Sequence, residues 1–488
     1  MKNDLRIEDH PILEFKRGKK ITFQFEGKQV EGYENESIAA ALFASGVKVF
    51  SHSKRFNNPN GWFCGIGKCC SCLMRVDGIP NVRTCVVPVR EGMQVERQGQ
   101  RAKLPSHAEI DVEREEIDVQ ALIIGGGPAG LGAGITAGQL GLSTVIIDEN
   151  HNYGGQLIKQ THQFFGSKEE YAGLRGFEIA DIMYGEFMET GGVYLNETSA
   201  VGYYGKKNNK HIYIAYQRRE DGYTLLEISA KYIVVTTGAF ENYLSFPGNY
   251  LPGVYGAGGV QTLMNVYGVR PGKKALIVGA GNIGLIVGYQ LLQAGVEVKA
   301  LIDALPKIGG YLVHASKLKR LGVPIYTSHT IKNARGKESV EGATIVELDK
   351  NMNPVKGTEK DFEVDLILIA VGLSASNKIL SQIGCKNTYV KEMEAWIPIH
   401  NEYMETTIER IYLAGDAGGI AEASTAMLEG KLAGAAIAEK EGCDRDKIET
   451  VKKTVFGELS QIRKSEFLRT IEKGKKRCHR KWEEVKQA

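Results

Sequence analysis

From Lys19 to Tyr33 the stretch KKITFQFEGKQVEGY alternates apolar and polar positions on both sides of EGK, the pattern of a hairpin. SIAAALFASGV (37–47) changes period: strong helix formers run to a glycine suited to a C-terminal cap. A cysteine-bearing loop follows, and then LMRVDG and VRTCVVPV, which read as short strands. Hairpin, helix, loop and strands in that order predict a β-grasp domain of about a hundred residues. Farther on, VQALIIGGGPAGLGAGITAGQLGLSTVIIDEN (119–150) reads as strand, glycine turn, helix and second strand, and KKALIVGAGNIGLIVGYQLLQAGVEVKALID (273–303) repeats it. KYIVVTTGAF (231–240) and RIYLAGDAGGI (410–420) are apolar runs that end in glycine-containing turns, as buried strands do.

The cysteine loop carries the first candidate chemistry. Of the eight cysteines, Cys64, Cys69, Cys72 and Cys85 are spaced C-x4-C-x2-C-x12-C. That is the plant-type spacing for a 2Fe–2S cluster. Gly65 and Gly67 can take positive φ and turn backbone N–H groups toward the sulfurs. Structural zinc is the alternative, though it usually takes two closely spaced pairs or histidines. Cys70 is read as a packing residue.

The two glycine turns carry the second. Gly125, Gly127 and Gly130, with Ala129 inside the motif, form GxGxxG, which allows a tight turn, close approach of a pyrophosphate and helix-on-strand packing. The helix N-terminus adds N–H groups and positive dipole. Asp148 and Glu149 lie where a ribose-binding carboxylate belongs, and the choice between them stays open. Gly279, Gly281 and Gly284, with Asn282 and Ile283, repeat the motif, and Asp303 closes the following strand. FAD in the first fold and NAD in the second are the expected nucleotides, with an empty scaffold as the alternative for the second. Asp303 without a nearby arginine predicts NADH over NADPH. Thr237 and Gly238 in TTGA resemble the ATGA turn of two-dinucleotide flavoproteins. Gly415 and Asp416 resemble the GD pair that holds a ribityl chain, and Gly155 and Gln156 resemble the loop beneath the flavin.

The predicted fold is α/β: a two-dinucleotide-binding-domain flavoprotein with an N-terminal β-grasp 2Fe–2S domain. The expected domains are 1–108 (β-grasp), 112–255 with 361–440 (split FAD-binding), 256–360 (an inserted NAD-like Rossmann domain) and 441–488 (a basic helical tail on the surface or at a subunit contact).

Composition narrows the function. The formal charge of +3 gives no argument for nucleic acid. The 58 glycines among 488 residues, well above the roughly 7% norm, gather in short turns. MKNDLRIEDH has no apolar signal region, and no run of eighteen apolar residues suggests a transmembrane segment. Clustered cysteines fit a reducing, cytoplasmic setting, with a peripheral place at the inner membrane as the alternative. No CxxC lies near the flavin motifs, and GxSxG, HExxH and Walker A patterns are absent, so no catalytic residue is assigned.

FSHSKRFNNPNGWFCGIGKCCSC and PNVRTCVVPVREGMQVERQ, with GGGPAG, DEN…GGQ and AGD, carry a resemblance over roughly residues 10–440. The chain resembles the α subunits of heteromeric amino-acid dehydrogenases: sarcosine oxidase, octopine and nopaline oxidase, hydrogen cyanide synthase and dye-linked L-proline or hydroxyproline dehydrogenase. The resemblance implies FAD, the cluster, electron transfer, and a glycine-oxidase-like β subunit that oxidises a secondary amine or amino acid. It also implies FMN at the partner interface. The alternative is a stand-alone NADH-dependent flavin reductase or diaphorase passing electrons to an iron–sulfur or quinone acceptor. Many members carry a cysteine-containing module at the C-terminus; Cys443 and Cys478 here supply no second cluster.

Overall fold

In a computed structural model of the chain, which describes residues 4–99, 112–164, 170–219, 222–464 and 466–487, Lys20–Phe25 and Lys28–Tyr33 pair antiparallel around Glu26 and Gly27. They join Gln94–Arg97, Leu73–Val76 and Ile79–Arg83 in a five-stranded sheet, with Lys20–Phe25 parallel to Gln94–Arg97. The helix Ile38–Ala44 starts at Ser37, whose hydroxyl accepts the Ala40 N–H. All seven helix residues are buried, as an alanine-rich element between a sheet and its neighbours must be.

The chain divides into two compact units: residues 1–108 with 241–372, and 109–240 with 373–488. In the first, the β-grasp sheet shares a core with a five-stranded parallel sheet. The order in that sheet is Val254–Gly256, Leu366–Ile369, Lys274–Val278, Glu297–Ile302 and Ile325–Tyr326. The expected limits of the insertion, 256 and 360, fall inside this unit. The buried run Leu366–Ile369 pairs with Lys274–Val278, a choice of neighbour that an apolar run does not encode locally. The expected break between 108 and 112 lies largely outside the described residues.

In the second unit, Val193–Leu195, Thr144–Ile147, Glu113–Ile124, Gly222–Val235 and Ile411–Leu413 lie side by side and parallel. Gly222–Val235 also continues antiparallel into Lys210–Arg219 and Thr198–Lys207. The helices Pro128–Gln139 and Ala423–Lys440 cross at backbone contact. A Cβ on Gly430 would stand 2.1 Å from the Ala129 carbonyl, and one on Gly132 2.7 Å from that of Met427. This seam draws Gly415 against Ala129.

The C-terminal helices Arg445–Ile462 and Glu466–Gln487 belong to this unit, and the last is no free surface helix: Lys475 and Cys478 on it are buried. Among the described residues no helix is long and apolar enough to cross a membrane.

Candidate functional site

The cysteine loop places Cys64, Cys72 and Cys85 in the interior, Cys69 half-buried, and Cys70 outward. Cys64 hydrogen-bonds with Cys69 and Cys85, and Cys72 with Cys85, so the expected set converges. Hydrogen bonds from Cys69 and then Cys85 hold the Cys64 thiol well below its ordinary range, while the one with Cys64 raises Cys69. The bond with Cys85 lowers Cys72; those with Cys64 and then Cys72 raise Cys85. Backbone N–H groups also reach the sulfurs: Ile66 and Lys68 at Cys64, Ser71 at Cys69, and Gly67 at Cys85, at 3.3 Å. Gly65 and Gly67 have φ of 62° and 70°, which turns those N–H groups inward. Such donors stabilise thiolate charge, as an anionic cluster requires. The thiols are spaced for these pairwise bonds. Among the described residues no three His, Cys, Asp or Glu groups are gathered to hold a lone metal ion.

The support for this loop comes from far along the chain, where sequence reasoning missed it. The Trp62 indole donates to the Gly259 carbonyl at 2.9 Å, and a Cβ on Gly259 would overlap the Phe63 carbonyl. The Tyr267 hydroxyl reaches the Cys85 carbonyl at 3.4 Å. The Tyr243 ring stacks on Phe63 at 4.7 Å and its phenol hydrogen-bonds Cys69. Thr262–Val266 forms a π-helical turn in the same segment, a feature frequent at functional sites.

In the second unit, the strand ends Ile124, Ile147, Val235 and Leu413 come out at one edge of the sheet. That carboxyl edge is where ligands of open α/β sheets bind. Gly125 has φ of 112°, and a Cβ on Gly130 would lie 1.9 Å from the Gly125 carbonyl. A Cβ on Gly127 would meet only the Gly155 Cα, at 3.9 Å, so the approach to the helix N-terminus is open. Gly155, with φ of 56°, packs its own backbone against Gly127, and Gln156 follows it in the helical turn Gly155–Lys159.

Two neighbours went unread in the sequence. Thr236, beside Thr237, donates its hydroxyl to the Gly125 carbonyl at 2.7 Å, whereas Thr237 donates to Ser376 and precedes Gly238, at φ 66°. Gly126 must be glycine because Tyr194 covers it; a Cβ would lie 2.0 Å from the phenol oxygen.

The two acids at the end of Thr144–Ile147 differ in environment. Asp148 is buried, and its oxygens accept the Gly126 N–H at 2.6 Å and the Asn150 N–H at 2.8 Å. Burial pushes its carboxyl up against the pull of these donors. Glu149, next along, is half-buried.

Gly415, at φ 67°, sits against Ala129, and Asp416 accepts the Ala421 N–H at 3.1 Å. Burial pushes the Asp416 carboxyl up to about 6; Glu429 adds to the rise, while the Ala421 N–H and Lys475 oppose it. Glu429 accepts the Gly415 N–H at 3.1 Å and is bound by Arg463 at 2.9 Å and by the buried Lys475. The C-terminal helix is thereby tied to the Gly415–Asp416 turn, which only tertiary structure reveals.

The second glycine turn, in the first unit, opens the helix Asn282–Gln293, with Gly281 at its cap, Ile283 in its first turn, and nothing within 4 Å of a Cβ on Gly281. Gly279 has φ of 111°, and a Cβ on Gly284 would lie 2.0 Å from the Gly279 carbonyl. Asn282 also accepts the Tyr311 N–H at 2.8 Å. Asp303 accepts the Ala280 N–H at 2.7 Å and the Leu305 N–H at 2.8 Å. The pair Gly309–Gly310, unread in the sequence, lies over this turn, with the Gly310 N–H on the Ala280 carbonyl at 2.9 Å.

Comparison with known proteins agrees with this layout. A family model for pyridine nucleotide-disulphide oxidoreductases matches residues 119–430, and a model for a 2Fe-2S iron-sulfur cluster binding domain matches residues 18–100. The chain is 24% identical over 460 residues to the alpha subunit of sarcosine oxidase from Corynebacterium sp. (strain P-1), covering 90% of this chain and 46% of that one. It thus spans about half the length of that relative. An opine oxidase subunit from Agrobacterium tumefaciens (strain Ach5) is 27% identical over 327 residues, 64% of each chain. The structure of L-proline dehydrogenase from P. horikoshii is 27% identical, with a TM-score of 0.66 over 91% of this chain and 79% of that one.

Proposed function

We propose, from the premise that this chain belongs to the pyridine nucleotide-disulphide oxidoreductase family, that it is the electron-transfer subunit of a heteromeric dehydrogenase. Its partner, a glycine-oxidase-like flavoprotein, oxidises a secondary amine or amino acid of the proline, hydroxyproline or sarcosine class. What carries this reading is the presence in one chain of the four converging thiols and the open glycine cradle, in a protein similar to subunits of sarcosine and opine oxidases.

Bound FAD supplies exchange between one- and two-electron chemistry, and the cluster supplies single-electron carriage. The chain's residues supply binding and orientation. Gly125, Gly127, Ala129 and Gly130 hold the pyrophosphate at the N-terminus of Pro128–Gln139, where free N–H groups and the dipole favour anions. The carboxylates of Asp148 and Glu149, side by side after Thr144–Ile147, supply the acceptor for the ribose hydroxyls. Gly155, Gln156, Thr237 and Gly238 border the ring system, and Asp416 accepts a ribityl hydroxyl. Cys64, Cys69, Cys72 and Cys85 ligate the cluster. Gly279, Gly281 and Gly284 cradle a second dinucleotide, of which NAD is one form. A further FMN belongs to the partner interface. The clustering of the cysteines in one loop suits a reducing, cytoplasmic setting.

Metal and flavin analysis of protein purified without oxygen tests the cofactor reading. About two irons and two acid-labile sulfides per FAD are expected. Cys70→Ala should retain the iron, because Cys70 points outward, and Cys72→Ala should lose it. Zinc in place of iron, or iron lost equally from both variants, would overturn the assignment.

A further inference from the structure

Three of the four converging thiols, Cys64, Cys72 and Cys85, are buried, and Cys69 is half-buried, so the site meets its surroundings at Cys69. The side chain that stands there comes from far along the chain. The Tyr243 ring lies on that of Phe63, with centroids 4.7 Å apart and planes 15° from parallel. Phe63 is itself held in place. Its carbonyl accepts the Gly256 N–H at 3.2 Å, and the Gly259 backbone presses on it so closely that a Cβ there would stand 1.9 Å from the Phe63 oxygen. Tyr243 is 59% exposed, yet the stack fixes its ring and its hydroxyl reaches Cys69.

This contact differs in kind from those around it. Backbone N–H groups of the loop serve Cys64, Cys69 and Cys85. The Thr84 hydroxyl touches Cys72, but it spends its one proton on the Cys72 carbonyl at 2.6 Å. The Tyr267 hydroxyl goes to the Cys85 carbonyl, not to the sulfur. Tyr243 brings a side-chain O–H to a ligand sulfur, and a single substitution removes it without touching the backbone.

We propose that Tyr243 is a positioning residue that raises the reduction potential of the cluster by donating its O–H to the Cys69 sulfur. The proposal rests on reading the four thiols as ligands of a 2Fe–2S cluster. One-electron reduction adds one negative charge and no proton, and the ligand sulfurs share that charge. A donor to one of those sulfurs favours the more negative state, and so favours reduction. Phenylalanine at this position keeps the ring and its stack on Phe63 and loses the O–H alone, which separates the donor from the packing.

The test is a redox titration of the purified full chain, followed by low-temperature EPR of the reduced centre, with iron counted in each sample. Wild type, Tyr243→Phe and Tyr267→Phe are compared. Tyr243→Phe should keep its iron. At the potential where wild type is half reduced, its ratio of reduced to oxidised cluster should be lower by about threefold or more, which is about 28 mV at 59 mV per tenfold for one electron. Tyr267→Phe should stay nearer to wild type than Tyr243→Phe, because its hydroxyl serves a carbonyl. Superimposable titrations of wild type and Tyr243→Phe would overturn the proposal. So would an equal fall in both variants, or loss of iron from Tyr243→Phe, since either outcome makes the tyrosine a structural support. Wild type that holds no iron would overturn the cluster reading itself.

Discussion

Asp416 shows how one carboxylate can couple cofactor binding to pH. Its carboxyl is pushed up to about 6, first by burial. Under the proposed function a ribityl hydroxyl donates to the ionised form, so FAD binding and ionisation would favour each other. Below about pH 6 the free chain must give up a proton to bind FAD, and affinity should fall by up to about tenfold per pH unit; above it, affinity should be flat. The sign reverses for the flavin-free chain. A carboxyl raised above its unfolded value contributes stability that is present below about pH 4 and is lost as pH rises through about 6. Asp416→Asn should flatten both profiles and cost FAD roughly 1.5–3 kcal/mol of charge-assisted hydrogen bonding. Fluorescence titration of FAD release from pH 5 to 8 checks this. A wild-type profile that matches that of Asp416→Asn would remove the residue from the flavin site.

At the scale of elements, the last helix changes what the C-terminus is for. Read as a sequence, KSEFLRTIEKGKKRCHRKWEEVKQA displays its lysines and arginines as a solvated basic face. One of those lysines, Lys475, is buried on Glu429, which lies 46 residues earlier and also receives the Gly415 N–H. Breaking a buried pair costs about 3–5 kcal/mol when the remaining charge has no partner. Arg463, at 2.9 Å from Glu429, moderates that loss. Lys475→Met should therefore lower the melting temperature by several degrees and speed FAD loss, and Lys475→Arg should recover most of both. Calorimetry with parallel flavin counts checks it, and unchanged flavin retention in Lys475→Met would uncouple the helix from the turn. The glycine motifs were legible because the turn itself is local: a Cβ on Gly130 would strike the Gly125 carbonyl five residues back, although Gly125 is also pressed against Thr236, remote in sequence. The cysteine spacing was legible for the same reason. Lys475, Tyr243 and Gly259 were not, because each acts on a partner remote in sequence and no periodicity marks it.

For the whole molecule, the central claim is that electrons taken from an amino acid on a partner subunit reach this chain's iron–sulfur centre. The sequence pointed to the sheets of both units, since continuous apolar strands ending in glycine turns announce parallel α/β folds. It did not fix where the second fold ends, because Leu366–Ile369, expected in the FAD-binding domain, pairs with Lys274–Val278 instead. The most direct test is low-temperature EPR of the complex of this chain with its partner, mixed with L-proline or sarcosine without oxygen. The expected result is the spectrum of a reduced 2Fe–2S centre, appearing with the amino acid only when the partner is present and absent in Cys72→Ala. The contradicting result is a complex whose cluster is reduced by dithionite but stays oxidised with every secondary amino acid.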